Sequence, residues 1–195
     1  MQKLKGLVQK NRSYRQFDES RIITRDEILS LIDLARLSPS AGNLQPLRYY
    51  FVHETEKNNL VFSHLYWGGD TQNSLAPPLG QRPSAYIFIL EDTRISRLSS
   101  HDQGIAAQTL LLGAVELDLG GCIIKSMDRL QLEMTLNLPQ DLDLKLIIAL
   151  GKPLKVISVQ DRNPLNGEVN ESLSDLPQQE RKVTKLNLED IIINP

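Results

Sequence analysis

Ser38-Pro39-Ser40-Ala41-Gly42-Asn43-Leu44-Gln45-Pro46 lies between an apolar run at helical spacing and a run that reads as a strand. Two prolines frame it. Proline donates no backbone hydrogen bond and pushes the preceding residue toward extended geometry. Gly42 opens the left-handed region of backbone space to the chain. The segment is therefore a shaped, irregular loop that carries small donors: the Ser40 hydroxyl and the side-chain amides of Asn43 and Gln45. By itself such a composition also suits an ordinary helix-to-strand connection. Its meaning depends on what flanks it.

Upstream, Thr24-Arg25-Asp26-Glu27 has the form of a capping box, a hydroxyl followed three residues later by Glu. Ile28, Leu31, Ile32 and Ala35 then recur at helical spacing, which predicts a helix running to about Leu37. Downstream, Arg48-Tyr49-Tyr50-Phe51-Val52 is aromatic and β-branched and predicts a strand. A helix is expected from Glu56 to about Leu65. Trp67 to Arg82 carries Gly68, Gly69, Pro77, Pro78 and Gly80 and predicts a long loop. Trp67, the sole tryptophan, suits a lid over a flat ring, a core position or a dimer interface.

Ala85-Tyr86-Ile87-Phe88-Ile89-Leu90 is almost continuously apolar and predicts a central strand buried on both faces. Asp102 to about Leu119 is the longest apolar element and leaves almost no polar face, so it predicts a helix buried in a core or an interface. Gly104 and Gly113 would allow another element to approach it closely, and Gly120-Gly121 is expected to terminate it. Cys122 to Ser126 reads as a short apolar exit before a helix from about Asp128 to Leu136. Leu144 to Leu150 predicts a strand stopped by Gly151-Lys152-Pro153. Asn166 to Glu180 is expected to be weakly structured, and the apolar end Ile191-Ile192-Ile193 to pack on another surface. At the other end, Leu4, Leu7 and Val8 give a short amphipathic helix that delivers Asn11-Arg12-Ser13-Tyr14-Arg15-Gln16-Phe17.

Composition bounds the function. A chain of 195 residues fits one domain, expected to span residues 1–195, and can bury a substantial core. A net charge of −2 gives no electrostatic case for nucleic acid. No apolar run is long enough to span a membrane, and Met1 to Gly6 lacks the apolar core of a signal peptide. The single cysteine excludes an intrachain disulfide and suits a reducing cytoplasm, the expected location. Walker, dinucleotide-binding, nucleophile-elbow and zinc-protease signatures are all missing. His53, His64 and His101 lie far apart, without the spacing of metal ligands. No protein acid, base or nucleophile stands out. That suits an enzyme whose cofactor carries the chemistry, and equally a protein with no chemistry.

Two elements separate those readings. Arg12-Ser13-Tyr14-Arg15-Gln16-Phe17 followed by Ser38-Pro39-Ser40 and Asn43-Leu44-Gln45-Pro46 resembles the nitroreductase-like flavoprotein family, which has an Arg-Ser-x-Arg-x-Phe element and then a loop ending in Asn-x-Gln-Pro. Gly104 to Val115, Gly120-Gly121-Cys122, Ala149 to Pro153, and Val183 to Leu188 are similar to further pieces of the family pattern, in the same order. Agreement at several levels is what gives weak matches their force.

The resemblance implies an α+β, three-layer α/β/α fold: a mainly antiparallel sheet surrounded by helices, with a long buried central helix. It implies a homodimer with FMN at the subunit interface, NADH or NADPH as co-substrate, and a small electron-poor acceptor such as a nitroaromatic, quinone or enone. Residue by residue, Arg12, Ser13 and Arg15 would hold the FMN phosphate and ribityl chain, with Lys185 of the tail as another phosphate ligand. Pro39, Ser40, Ala41 and Asn43 would reach the flavin from the other subunit. Ile123, Lys125 and Ser126 would contact the flavin ring, largely through backbone. No residue of this chain is implied as a catalytic acid or base. The chain departs from the family at Asn11 and Leu186, where Arg is usual, and at Thr184, where Pro is usual. Losing two cations near one phosphate would weaken binding, since each charge-assisted hydrogen bond contributes about 1.5–3 kcal/mol. Lys125, aimed at the negative edge of the ring, would compensate. A relative with different flavin chemistry (dehalogenation, flavin cleavage) and a flavin-binding module without turnover are the alternatives.

Overall fold

The computed structural model describes residues 1–69, 75–97, 100–161 and 180–193. Residues 70–74 of the expected Trp67–Arg82 loop lie outside the described residues. So does 166–179, nearly all of the stretch expected to be weakly structured.

In chain order the elements are α1 (Gln2–Lys10), β1 (Phe17–Asp18), α2 (Arg25–Arg36), β2 (Leu47–Val52), α3 (Thr55–Ser63), β3 (Ala85–Asp92), α4 (Ser100–Glu116), β4 (Gly120–Ile124), α5 (Arg129–Thr135), β5 (Leu142–Pro153), β6 (Val156–Asp161), β7 (Glu180–Lys185) and α6 (Leu188–Ile191). The predicted capping box starts α2: Thr24 Oγ1 accepts from the Glu27 N–H, and the Glu27 carboxylate accepts from the Thr24 N–H.

β5 is the spine of the main sheet. β3 lies along one side of it, with β2 beyond β3. β4 lies along the other side, and the short β1 pairs with Lys152 and Pro153 at the end of β5. Every pairing in this sheet is antiparallel. Side chains alternate across a strand, so β3 feeds two cores. Ala85, Ile87 and Ile89 pack with α2 and α4 on one face. Tyr86, Phe88 and Leu90 pack on the other with Val61 of α3, Leu132 of α5 and Trp67. The expected α+β, three-layer architecture is the one observed. β3 is buried along its whole length, as its continuous apolar run predicts.

Three local expectations are corrected. Gly120 and Gly121 do not end α4; they begin β4. The helix ends in a Schellman arrangement with Asp118 in the left-handed position (φ 55°), where the Leu119 N–H bonds the Ala114 carbonyl. The two glycines are needed for contact instead. A Cβ on Gly120 would lie 2.5 Å from the Tyr14 ring, and one on Gly121 would lie 2.6 Å from the Ala149 carbonyl oxygen. The apolar exit that follows is itself the strand β4. β5 is not stopped at Gly151 but runs on to Pro153, because Gly151 gives room for Phe17 and the last two residues pair with β1. Of the three readings open for Trp67, the structure selects the core: it is 1 % exposed and tilted against Phe62.

Close approach to α4 occurs at Gly113, where a Cβ would meet Leu34 at 2.6 Å and Leu31 at 3.0 Å; nothing lies within 4 Å of one built on Gly104. In the single chain α4 buries Ala106, Ala107, Leu110, Leu111 and Ala114 but leaves Ile105 exposed, as is Leu117 just past its end. β6 and β7, which composition did not reveal, form a separate parallel pair, and Ile157 and Val183 pack on Tyr14 and Phe17. None of the helices described is long and apolar enough to cross a membrane.

Candidate functional site

Residues 11–15 leave the end of α1 and run beside β4. The Tyr14 N–H donates to the Gly121 carbonyl at 3.0 Å, and Ser13 bridges Gly121 in parallel register. The Tyr14 ring is buried against Gly120, and its hydroxyl donates to the Lys10 carbonyl. With Tyr14 turned inward, its neighbours Ser13 and Arg15 turn the other way, as alternation along extended backbone requires. Arg12 covers the exposed end of α1. Its Nε donates to the Asn11 carbonyl at 2.5 Å and its Nη2 to the Val8 carbonyl at 2.6 Å, which satisfies groups a helix terminus leaves open.

The result is a cavity of about 430 Å³ lined by Asn11, Arg12, Ser13, Arg15, Gln108 and Lys185, with Gly121, Ile123, Ile157 and Val183 also on its wall. Its size falls in the usual range of small-molecule sites. Among the described residues it is lined by two arginines and a lysine and by no carboxylate. Lys185 comes from the far end of the sequence: β7 pairs with β6 in a register that sets Lys185 opposite Asp161, and Ile157 and Val183 pin that pair onto Tyr14. The donor set, fixed guanidiniums with a hydroxyl and an ammonium, suits a phosphate. The residues present therefore fit a phosphate-bearing cofactor.

Five of the residues singled out from sequence meet in this cavity: Arg12, Ser13, Arg15, Ile123 and Lys185. Lys125 and Ser126 do not line it. Lys125 is exposed just past β4, and the Ser126 carbonyl accepts from the Tyr66 N–H at 3.0 Å. Pro39, Ser40, Ala41 and Asn43 stand elsewhere in the single chain. Pro39 and Ser40 line a separate cavity of about 140 Å³ with Arg36, Tyr49 and Asp102.

That loop is tightly specified. Gly42, Asn43 and Gln45 all have positive φ, at 57°, 54° and 51°. Such a cluster is uncommon for non-glycine residues and must be held by its surroundings. The holder is Asp102 on α4. Its carboxylate accepts from Ser40 Oγ at 2.6 Å and from the Ala41 N–H at 3.1 Å, and Ser40 Oγ accepts from the Gln45 N–H. The Ser40 hydroxyl is thus engaged within the loop. Burial, together with the nearby Asp102 charge, pushes the Tyr49 phenol up to about 12.

Sequence reasoning missed Gln108 as a wall residue, although a signal was present: it is a polar side chain inside an otherwise apolar helix. It accepts a hydrogen bond from the Asn11 side chain at 3.2 Å. Cys122 is buried, and burial raises its thiol, which keeps it protonated and inert. Among the described residues no cluster of His, Cys, Asp and Glu suits a metal ion.

An oxygen-insensitive NADPH nitroreductase from Helicobacter acinonychis (strain Sheeba) is 26 % identical over 198 residues, covering 85 % of this chain and 94 % of the relative. Among solved structures, a nitroreductase family protein from Streptococcus pneumoniae TIGR4 superposes with a TM-score of 0.66 at 17 % identity, covering 98 % of this chain and 100 % of the other. An FMN-dependent nitroreductase from Clostridium difficile R20291 has a TM-score of 0.62 at 23 % identity, with 76 % and 86 % covered. Residues 8–152 match the sequence model of the Nitroreductase family, and the chain belongs to that family.

Proposed function

We propose that this chain is an FMN-dependent oxidoreductase that takes hydride from NADH or NADPH and passes it, by way of the flavin, to a small electron-poor acceptor such as a nitroaromatic, quinone or enone. The observation that carries the reading is the cation-lined, carboxylate-free wall around Arg12, Arg15 and Lys185. Family membership and the named activities of the relatives support it. The flavin supplies the redox chemistry when bound; the protein supplies binding, orientation and electrostatics. Arg12, Arg15 and Lys185 hold the phosphate and Ser13 donates to it, while Ile123, exposed on β4, offers an apolar surface to the ring system.

The site is completed by a second copy of the chain. Pro39, Ser40, Ala41 and Asn43 lie outside this cavity in one subunit and reach the partner's site in the dimer, beside Lys125 and Ser126. The exposed Ile105 of α4, Leu117 just past that helix, and the exposed Leu188, Ile191 and Ile193 of the tail supply an apolar interface. Sedimentation at the mass of a single chain would remove this part of the proposal.

The test is the visible spectrum of the purified protein, with the released flavin identified by chromatography. Oxidised-flavin bands and about one FMN per chain are expected. A second reading, a flavin-binding module without turnover, draws on Asn11 at the cavity wall and on Leu186, next to Lys185 in sequence, where the family usually has Arg. A protein that binds FMN yet shows no NADH- or NADPH-dependent bleaching of those bands would favour it. A protein that stays colourless after incubation with FMN would defeat both.

A further inference from the structure

Arg12, Ser13 and Arg15 stand on backbone tied to the main sheet, because Tyr14 among them is bonded to Gly121 of β4. Lys185 reaches the same cavity from a different support. Its strand, β7, belongs to a two-stranded sheet separate from the main one, paired in parallel with β6. Parallel pairing is slightly weaker per residue than antiparallel, and an isolated pair of strands is marginal in water. β6 has its own ties to the body: the Leu154 N–H, two residues before it, donates to the Gln16 carbonyl at 3.2 Å, and Ile157 is buried against Tyr14 and Phe17. β7 has fewer. Among the described residues its backbone bonds to no element but β6, the Gln160 side chain donates to Thr184 Oγ1 at 3.3 Å, and Val183 packs half-buried on the Tyr14 cluster.

Val183 and Lys185 share one face of β7, as residues two apart on a strand do, and both line the cavity. Charge then sets the balance. Among the described residues none of Arg12, Arg15 and Lys185 forms an ion pair, and the cavity wall carries no carboxylate. Asp161, opposite Lys185 in register, makes no ion pair with it. An empty cavity therefore sets like charges against one another, and the cation on the weakest support is the one that yields. A phosphate reverses the sign, since each cation is drawn to the same centre.

We propose that β7 is an anion-operated strap: phosphate in the cavity draws Lys185 in and holds β7 on β6, and an empty cavity lets β7 lift away while the main sheet stays folded. This rests on the reading of the cavity as the FMN phosphate site. A ligand shifts such an equilibrium by its differential affinity for the two states, and Lys185 meets the phosphate only in the closed one. Linkage is reciprocal, so the closed strap also tightens the hold on the cofactor. The opening is local and leaves the global melt unchanged.

The experiment is hydrogen exchange by mass spectrometry on the full chain, stripped of flavin and then loaded with FMN or with riboflavin, which lacks the phosphate. Peptides covering Lys182 to Lys185 should exchange about tenfold more slowly with FMN, the scale of one charge-assisted hydrogen bond. With riboflavin they should exchange as in the stripped protein, and β3 peptides should not change in either case. Lys185→Gln removes the charge: stripped, its β7 should exchange more slowly than wild type, and most of the FMN effect should be gone. Sodium chloride at about 1 M, which shortens the screening length to ~3 Å, should slow exchange in the stripped wild type for the same reason. FMN that binds, by quenching of its fluorescence, without slowing β7 overturns the strap and leaves the redox reading standing. So does a Lys185→Gln variant that exchanges as wild type in both states. A wild-type chain that binds no FMN overturns both.

Discussion

The Ser40 hydroxyl donates a 2.6 Å hydrogen bond to the buried carboxylate of Asp102, a residue 62 positions further along the chain. One side chain at the start of α4 thereby fixes a loop with three residues at positive φ. Asp102→Ala leaves the Ser40 hydroxyl and the Ala41 N–H without their acceptor. Hydrogen bonds to charged groups contribute about 1.5–3 kcal/mol each. A loss of about 3 kcal/mol in urea unfolding is expected, with faster amide exchange at Ala41 and Gln45; protection equal to wild type would show that the loop holds itself.

Arg15 and Lys185 are expected to hold phosphate and nothing else. Each →Ala variant should weaken FMN binding about 10- to 100-fold, by the loss of a charge-assisted hydrogen bond, with little change in Tm. Arg12→Ala should do both, because Arg12 also caps the carbonyls of α1. Fluorescence titration of flavin-stripped protein, with a thermal melt of the same samples, separates the two behaviours.

Asn11→Arg tests the family departure directly. Asn11 already lines the cation-rich cavity, and an added guanidinium there should tighten FMN binding about tenfold. An affinity that does not move would mean that position 11 faces no phosphate.

Gly121 and Gly113 should respond differently to alanine. At Gly121 the new Cβ meets backbone, the Ala149 carbonyl oxygen at 2.6 Å. At Gly113 it meets the ends of Leu34 and Leu31, which can shift. Gly121→Ala is expected to cost about 3 kcal/mol by overpacking. Gly113→Ala should stay within about 1 kcal/mol of wild type, since the helix gains roughly that much from alanine.

Asp92 gives a pH signature. The Arg94 guanidinium, bonded to it at 2.8–2.9 Å, holds its carboxyl down at about 2, with Arg48 adding a weaker pull. A depressed carboxylate contributes stability that is complete above its unfolded value near 4 and lost as pH falls toward 2. The Tm gap between wild type and Asp92→Asn should therefore be constant at neutral pH and close between pH 4 and about 2. A gap that persists below that range would assign the effect to packing.

What sequence made legible was local. The Thr24 cap, the helical spacing of Ile28 to Ala35 and the unbroken apolar run of β3 are each written within a few residues, and each was observed as expected. Arg12, Ser13, Arg15 and Lys185 gained their roles through a family pattern, and they meet in one cavity because β7 pairs with β6. What escaped depends on distant partners. The need for glycine at 120 and 121 lies in Tyr14 and Ala149; the continuation of β5 through Pro153 lies in Phe17; the anchor of the Ser40 loop lies in Asp102. No short window of sequence contains both halves of such a contact.

β5 bonds to β1, β3 and β4 at once, yet it spans residues 142–153, late in the chain. A polypeptide still being made cannot close this sheet before those residues clear the ribosome. Until then it can form the β2–β3 pair, whose inner edge is the apolar strand Ala85–Asp92, open and ready to pair with any other strand. Non-local pairing of this kind is slow and leaves sticky intermediates. The arrangement that makes the finished molecule cohere thus makes its synthesis a period of exposure, in which expression temperature and chaperone supply, more than final stability, set how much folded protein is recovered.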